Sequence, residues 1–221
     1  MRPHGKTKLG FFPLPVPEAE RLKSCLVAGS EFSALDPCVG DGVAFTHLLE
    51  GTHASRYGIE IDAYRAEQAR NLGVDTLQAS AFDVRSPAEA FSLLYLNPPY
   101  DLEIGGTNNQ RLELVFLEHT YRWLKPGGVL VFVIPQPQLR ACARILSEHF
   151  TDVSVYRLTD LRVCSISRLP SSASGVGDTS ICETPRCSTP YAGWRCWALR
   201  PILKPWHKRP QCGTRFQTPG Q

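Results

Sequence analysis

The chain has 221 residues, of which 43% are hydrophobic and 20% are charged. This composition is typical of a globular protein with a sizeable core and one to two domains. No apolar run approaches the roughly 20 residues that a membrane span needs, and the basic N-terminal segment lacks the apolar stretch of a signal peptide. We therefore expect a cytoplasmic protein without a membrane partner, in which the cysteines do not form disulfides.

The net charge of +3 is unevenly distributed along the chain. Residues 1–160 contain 15 Lys and Arg against 19 Asp and Glu, whereas residues 161–221 contain 9 against 2. Five of the eight cysteines also lie in the second part. We therefore expect one domain over residues 1–160 and an irregular or disordered tail, rich in Cys, Pro and Arg, over residues 161–221.

Strand and helix patterns alternate through the first part of the chain. The pattern predicts strands at 33–36, 57–61, 75–79, 91–96, 129–134 and 152–158. It predicts helices at 17–28, 43–50, 62–73, 110–125 and 138–150. Asp62 is expected to cap the third helix, and Pro126-Gly127-Gly128 to end the fourth. Such alternation indicates a doubly wound α/β domain with a mostly parallel, Rossmann-like sheet.

In a doubly wound sheet, ligands bind beyond the carboxyl ends of the strands. Four segments follow the first four strands: DPCVGDG (36–42), GIEID (58–62), SAFD (80–83) and NPPY (97–100). Two glycines in the first segment permit a tight turn and a close backbone approach to a ligand. An acidic residue in the second lies where ribose hydroxyls of a nucleotide can be bound. Taken singly, each segment is equally consistent with an ordinary turn or a solvated carboxylate.

In this order and spacing, the four segments and LKPGG (124–128) resemble the class I S-adenosylmethionine-dependent methyltransferases. NPPY is similar to the subgroup that methylates planar amino groups: N6-adenine DNA methyltransferases, some RNA enzymes and the glutamine methyltransferases of release factors. The segment GFFPLP (10–15) is similar to the one that closes over the methionine end of the cofactor in the adenine enzymes. Residues 5–160 as a whole resemble an uncharacterised bacterial methyltransferase-like family, domain of unknown function 6094.

The resemblance implies an S-adenosyl-L-methionine site built from all four segments. Its residues are Asp36, Gly40, Asp41, Gly42, Glu60, Ile61, Ser80, Phe82 and Asn97. The glycines would line the methionine part and the aspartates would lie near its amino group. Glu60 would hold the ribose hydroxyls and Ile61 would press on the adenine ring. Ser80 stands where relatives often have an acidic residue for the adenine amine, with Phe82 or Asp83 close by, so the identity of that contact stays open.

The NPPY segment is expected to carry the chemistry, through Asn97, Pro98 and Tyr100. The prolines fix the backbone and lack N–H groups, so the Pro98 carbonyl is free of the sheet. This carbonyl and the Asn97 amide oxygen can each accept a hydrogen from a substrate –NH₂, which favours the charged transition state. Tyr100 would stack on the planar group. Residues 101–110 are expected to form either a mobile substrate loop or a plain exposed connection.

Class I domains of this kind normally end in a β-hairpin whose second strand inserts antiparallel into the sheet. Residues 152–158 supply the first strand, but no clear pattern for the second follows residue 160. We therefore expect the last strand to be missing and a sheet edge to be exposed.

The composition of the tail leaves three interpretations open. The first is a zinc site, formed by Cys182, Cys187, Cys196, Cys212 and His207. The second is a basic arm that contacts nucleic acid, with three tryptophans that could stack on bases. The third, which we favour, is a shifted reading frame that replaces the missing strand.

The favoured hypothesis for function is an S-adenosylmethionine-dependent N-methyltransferase that acts on adenine N6 in DNA. The alternatives are an RNA or a protein-glutamine N-methyltransferase, a non-catalytic cofactor-binding protein, or a truncated inactive product. Residues 1–160 are net acidic and lack the basic surface that supplies most nucleic-acid affinity. DNA as a partner therefore depends on the NPPY resemblance.

Overall fold

The computed structural model describes residues 12–28, 31–100, 110–160 and 162–170. Within these residues, strands and helices alternate. The strands are β1 (Phe32–Asp36), β2 (Ala54–Glu60), β3 (Asp75–Gln78), β4 (Phe91–Leu96), β5 (Leu124–Pro135), β6 (Thr151–Arg157) and β7 (Arg162–Arg168). The helices are α1 (Val16–Lys23), α2 (Val43–Leu48), α3 (Ala63–Asn71), α4 (Leu112–Thr120) and α5 (Leu139–His149).

All seven described strands form one sheet, in the order β3-β2-β1-β4-β5-β7-β6. Strands β1 to β5 pair in parallel, whereas β7 runs antiparallel to both of its neighbours. The strand order reverses between β1 and β4, which is where a ligand crevice forms in such sheets. The predicted doubly wound, mostly parallel fold is therefore confirmed.

The prediction that the last strand is missing is wrong. β7 pairs with β5 from Val129↔Arg168 to Pro135↔Arg162 and lies between β5 and β6. Its sequence RVCSISR carries Ser165 and Ser167 at fully buried positions, which hides the apolar pattern of a core strand. The exposed edge that we expected beside β5 is therefore filled.

The sheet thus continues to Arg168, beyond the composition break at residue 160. β7 supplies the strand whose expected absence favoured a shifted reading frame, so that support for a frameshift is lost. Residues 101–109 and 171–221 lie outside the described residues. The substrate loop, the character of the tail, its proposed zinc and nucleic-acid contacts, and the division into two parts stay predictions.

The fourth predicted helix ends earlier than its apolar pattern indicates. α4 ends at Thr120, a 3-10 turn spans Tyr121–Trp123, and β5 already begins at Leu124. The pairing of β4 with β5 shifts register between Phe91 and Leu93, opposite the PGG sequence. The prolyl-glycine stretch therefore interrupts a strand instead of ending a helix.

Both faces of the sheet are covered by apolar side chains. One cluster packs β4 and β5 against α4 and α5, and the other packs them against α1 and α2. All six residues of β4 are buried, as a continuous apolar run predicts for a strand covered on both faces. None of the described helices is long and apolar enough to cross a membrane.

Candidate active site

A cavity of about 520 Å³ lies beyond the carboxyl ends of β1, β2 and β4. Its volume falls within the roughly 300–1,000 Å³ of small-molecule sites. Seven predicted residues line it: Asp36, Asp41, Glu60, Ile61, Ser80, Phe82 and Asn97. Four lie outside its lining: Gly40, Gly42, Pro98 and Tyr100. The structure thus brings together side chains from all four segments that follow the strands.

The two glycines of the first segment contribute to the fold around the cavity. The backbone N–H of Gly40 donates to Glu60 Oε2 at 2.9 Å. Gly42 has a φ of +82°, and a Cβ there would lie 3.0 Å from the Cα of Ala69. Gly40 therefore orients a carboxylate, and Gly42 allows the start of α2 to pack closely against α3.

Glu60 ends β2 and is 6% exposed. Its Oε1 accepts from the backbone N–H of Asp62 at 2.9 Å and from Arg65 Nη2 at 2.8 Å and Nε at 3.2 Å. Its Oε2 accepts from Gly40 alone among the described donors. A carboxylate oxygen has room for a second donor. Oε2 can therefore accept a ribose hydroxyl while the rest of the group stays fixed.

Arg65 lines the cavity but was not predicted as a site residue. It follows Glu60 by five positions and lies at the start of α3, where the Asp62 side chain caps the helix by accepting from the Arg65 N–H at 3.1 Å. The predicted cap at Asp62 is confirmed. An arginine in the first turn after an acidic strand end is the signal that could have identified it.

Asp36 ends β1 and is 2% exposed. Its Oδ1 accepts from the backbone N–H of Cys38 at 2.9 Å. Burial raises the pKa of Asp36 from its ordinary 3.8 to about 8. Asp41 lies at the cavity wall, where its Oδ1 accepts from the Val43 N–H at 3.1 Å. Both residues line the cavity, where the resemblance implies that they lie near the amino group of the cofactor.

Two partly exposed apolar side chains line another part of the cavity: Ile61 is 56% exposed and Phe82 is 40% exposed. Phe82 packs edge-on against Phe116, with ring centroids 4.7 Å apart. The Ser80 hydroxyl accepts from the Phe82 N–H at 3.3 Å and so caps the 3-10 turn Ala81–Asp83. Asp83 lies outside the cavity lining. This region therefore offers apolar contacts and one hydroxyl to a planar ring.

The Asn97 amide is held on both sides by the protein. Its Nδ2 donates to the Phe12 carbonyl oxygen at 3.0 Å, and its Oδ1 accepts from the Tyr100 hydroxyl at 2.5 Å. Burial raises the pKa of Tyr100, so its hydroxyl keeps the proton that it donates. The Tyr100 ring stacks on Phe12, with centroids 5.3 Å apart. A substrate amine that uses Asn97 Oδ1 must therefore displace or share with the Tyr100 hydroxyl.

The segment Phe12–Leu14 covers part of the cavity and is tied to β7. Arg162 Nη1 donates to the carbonyl oxygens of Phe12 at 3.2 Å and Pro13 at 3.4 Å. Arg162 is itself held by Asp160, whose carboxylate accepts from Nε at 2.8 Å. Sequence reasoning missed Arg162 because it assigned this residue to an irregular tail.

Tyr95 is a second lining residue that the sequence did not single out. It lies two positions before Asn97 on β4, and side chains two apart on a strand share a face. Alternation along the strand is therefore the signal that could have identified it. Within the described residues, no group of three or more His, Cys, Asp or Glu side chains could hold a metal ion.

Comparison with known proteins agrees with this architecture. The model of an uncharacterised methyltransferase family (DUF6094) matches residues 2–168. No curated protein matches the chain. The match to the family model confirms the resemblance noted in the sequence.

Several solved structures share the fold at low sequence identity. A class I S-adenosylmethionine-dependent methyltransferase of Listeria monocytogenes has a TM-score of 0.60 at 11% identity, over 79% of this chain and 65% of that one. An O-methyltransferase of Thermotoga maritima has a TM-score of 0.58 at 14% identity, over 75% and 69%. A modification subunit of a type I restriction enzyme of Vibrio vulnificus has a TM-score of 0.57 at 15% identity, over 73% and 46%.

The chain thus spans about two thirds or less of the Listeria and Vibrio proteins. At these identities the likeness shows the fold alone. That fold is the one of class I methyltransferases, which supports S-adenosyl-L-methionine as the expected cofactor.

Proposed function

We propose that this chain, which belongs to the uncharacterised methyltransferase family (DUF6094), binds S-adenosyl-L-methionine in the cavity and transfers its methyl group to a planar amino group. Adenine N6 in DNA is the substrate that we favour. The single observation that carries the proposal is that Glu60 and Asn97 line the same cavity. The first is suited to a nucleoside and the second to a substrate amine.

The residues of the cavity fit the cofactor. The Glu60 carboxylate has one oxygen with room for a ribose hydroxyl, because Arg65 and Asp62 engage the other. Ile61 and Phe82 offer apolar surface for an adenine ring. Asp36 offers a carboxyl group to the ammonium of the methionine part. When bound, the cofactor supplies an electrophilic methyl group on a sulfonium.

The chemistry expected of Asn97 is stabilisation of charge on the substrate nitrogen. An aromatic or amide amine is a poor nucleophile, because its lone pair is delocalised. An acceptor at Asn97 Oδ1 and a second at the Pro98 carbonyl favour the charge-bearing geometry of this nitrogen. The Phe12 carbonyl, which accepts from Nδ2, fixes the amide so that Oδ1 points away from Phe12. No base with a shifted pKa is needed for this role.

Two considerations bear on the substrate. The Vibrio protein is described as a modification subunit of a restriction enzyme, which is compatible with DNA as a substrate. The acidic character of residues 1–160 disfavours any nucleic acid, DNA or RNA, and so favours the protein-glutamine alternative. A base within a duplex would have to be flipped out to reach Asn97. We also propose a cytoplasmic location, as the sequence predicts.

The experiment that tests the proposal has two stages. First, S-adenosyl-L-methionine is titrated into the purified chain by calorimetry, and saturable binding at about one site is expected. Second, methyl transfer from labelled cofactor to single-stranded DNA, duplex DNA, RNA and a glutamine-containing peptide is compared. Formation of N6-methyladenine in either DNA supports the favoured substrate, whereas methylation of the RNA alone or of the peptide alone contradicts it.

An Asn97→Ala variant separates catalysis from binding. We expect it to lose about 100-fold or more in transfer rate, as removal of one transition-state hydrogen bond does elsewhere, while it still binds the cofactor. Asn71→Ala is the matched control, because Asn71 is exposed at the end of α3 and lies outside the cavity lining. Equal transfer rates in the two variants would exclude the proposed role of Asn97.

A further inference from the structure

Tyr95 lines the cavity and carries a buried polar group. The residue is 1% exposed, its ring stacks on Phe45 with centroids 6.0 Å apart, and it lines the cavity. Among the described residues, its hydroxyl has no hydrogen-bond partner. Buried polar groups in native proteins are nearly always paired, so an unpaired hydroxyl on a residue that lines the cavity is a candidate partner for a bound ligand.

The surroundings of this hydroxyl restrict what the ligand group can be. Burial raises the pKa of Tyr95 well above its ordinary value, and the charge of the nearby Asp36 carboxyl acts in the same direction. The hydroxyl is therefore neutral and can accept one or two hydrogen bonds. Asp36 is itself 2% exposed and lines the same cavity. A bound ammonium group would favour the ionised form of the Asp36 carboxyl and be attracted by it, whereas a carboxylate ligand would disfavour that form.

Apolar side chains line the same cavity as Tyr95. Leu14 and Val39 are buried and line the cavity together with Tyr95. A polar ligand group that binds here makes its hydrogen bonds to the Asp36 carboxyl and the Tyr95 hydroxyl. A primary ammonium fits, because it carries three donors on one nitrogen and can satisfy two different acceptors at once.

We propose that the Tyr95 hydroxyl accepts a hydrogen bond from the α-ammonium group of the bound cofactor, beside Asp36, and so acts as a further binding residue for its methionine end. The inference rests on the proposed function, since it takes S-adenosyl-L-methionine as the ligand. It assigns a role to the one residue of β4 whose polar atom is buried without a partner among the described residues.

The test uses two ligands that differ only at this end. S-adenosylhomocysteine carries the amino acid group, whereas 5′-methylthioadenosine has the same adenosine and thioether without it. We expect Tyr95→Phe to bind S-adenosylhomocysteine about tenfold more weakly, as loss of one hydrogen bond to a charged group implies, and to bind methylthioadenosine as the wild type does. Tyr64→Phe is the matched control, because Tyr64 is 71% exposed and lies outside the cavity lining.

The melting temperature of the unliganded protein gives a second readout. Since the hydroxyl is unpaired without ligand, its removal is expected to leave the melting temperature unchanged or to raise it. A residue with a purely structural role would show the opposite, with a lower melting temperature and equal losses for both ligands. That result would overturn the inference, as would unchanged affinity for S-adenosylhomocysteine in Tyr95→Phe.

The wild-type titration distinguishes this failure from failure of the proposed function. If the folded wild type binds neither ligand, the proposed function is wrong and the inference falls with it. If the wild type binds S-adenosylhomocysteine and Tyr95→Phe binds it equally well, only the role of Tyr95 is wrong.

Discussion

Arg162, on the strand inserted between β5 and β6, donates hydrogen bonds to the backbone carbonyl oxygens of Phe12 and Pro13. The two ends of the described chain thus meet at the cavity, since Phe12 lies 150 positions earlier. The Phe12 carbonyl also accepts from Asn97 Nδ2 at 3.0 Å. One carbonyl therefore joins β7, the segment over the cavity and the residue expected to contact the substrate.

Replacing Arg162 with Ala is expected to weaken cofactor binding. The segment Phe12–Leu14 loses its ties to β7, and the cavity that it covers becomes more open. We expect about a tenfold lower affinity for S-adenosyl-L-methionine in calorimetry, together with about 1–3 kcal/mol less stability from loss of charge-assisted hydrogen bonds. Arg157→Ala, at an exposed position on β6, is the control. Equal affinities in the two variants would show that the hydrogen bonds from Arg162 to Phe12 and Pro13 are not needed for cofactor binding.

Replacing Gly42 with Ala is expected to destabilise the fold without changing the site. A Cβ at this position would lie 3.0 Å from the Cα of Ala69, and the φ of +82° is unfavourable for alanine. We expect a loss of about 1–3 kcal/mol in chemical denaturation and an unchanged cofactor affinity for the folded protein. Gly73→Ala has a similar φ of +79° but meets no atom within 4 Å, so it isolates the backbone effect. If both variants lose the same stability, the close contact with α3 does not contribute to the loss in Gly42→Ala.

The main features of the fold could be predicted from the sequence where packing follows a simple pattern. β4 lies within its predicted bounds, because a strand buried on both faces has a continuous apolar sequence. β7 was missed because Ser165 and Ser167 occupy buried positions, so its sequence reads as polar. The early start of β5 was missed because its first residues pair across a register shift.

The same contrast holds for the site. Residues directly after parallel strands could be predicted as neighbours, because strand ends meet at one edge of the sheet. Arg65, Tyr95 and Arg162 could not be predicted in the same way, because their importance depends on contacts made only in the folded chain. Gly42 was predicted to line the cofactor. In the structure, its positive φ and its close approach to Ala69 are the features that favour a glycine at this position.

The stability of the unliganded protein is expected to depend on pH through Asp36. Its folded pKa of about 8 lies above the ordinary value of 3.8, so the folded state binds its proton more tightly than the unfolded state. Its contribution to stability is therefore fully present below about pH 4 and is lost as the pH rises to about 8. The free energy of unfolding, measured by chemical denaturation, should therefore fall between pH 5 and 8. We expect Asp36→Asn, which cannot ionise, to remove the part of this fall that Asp36 causes.

Asp41→Asn is the control for the pH experiment, because Asp41 also lines the cavity but is partly exposed. This variant removes a carboxyl group from the same cavity and leaves Asp36 in place. Parallel profiles for wild type and Asp36→Asn would show that Asp36 is already ionised in the folded protein near neutral pH.

Replacing Arg65 with Ala is expected to weaken binding through Glu60. Arg65 supplies two of the three donors to Glu60 Oε1, and the pair is largely buried, with 13% and 6% of the side chains exposed. Without it the carboxylate can rotate, and the oxygen offered to the ribose loses its fixed direction. We expect about a tenfold lower affinity for S-adenosylhomocysteine but little change for its 2′,3′-dideoxy analogue, which lacks the ribose hydroxyls. Arg144→Ala, at an 83% exposed side chain, is the control. Equal losses for both ligands would instead indicate that Arg65 acts on the cavity as a whole.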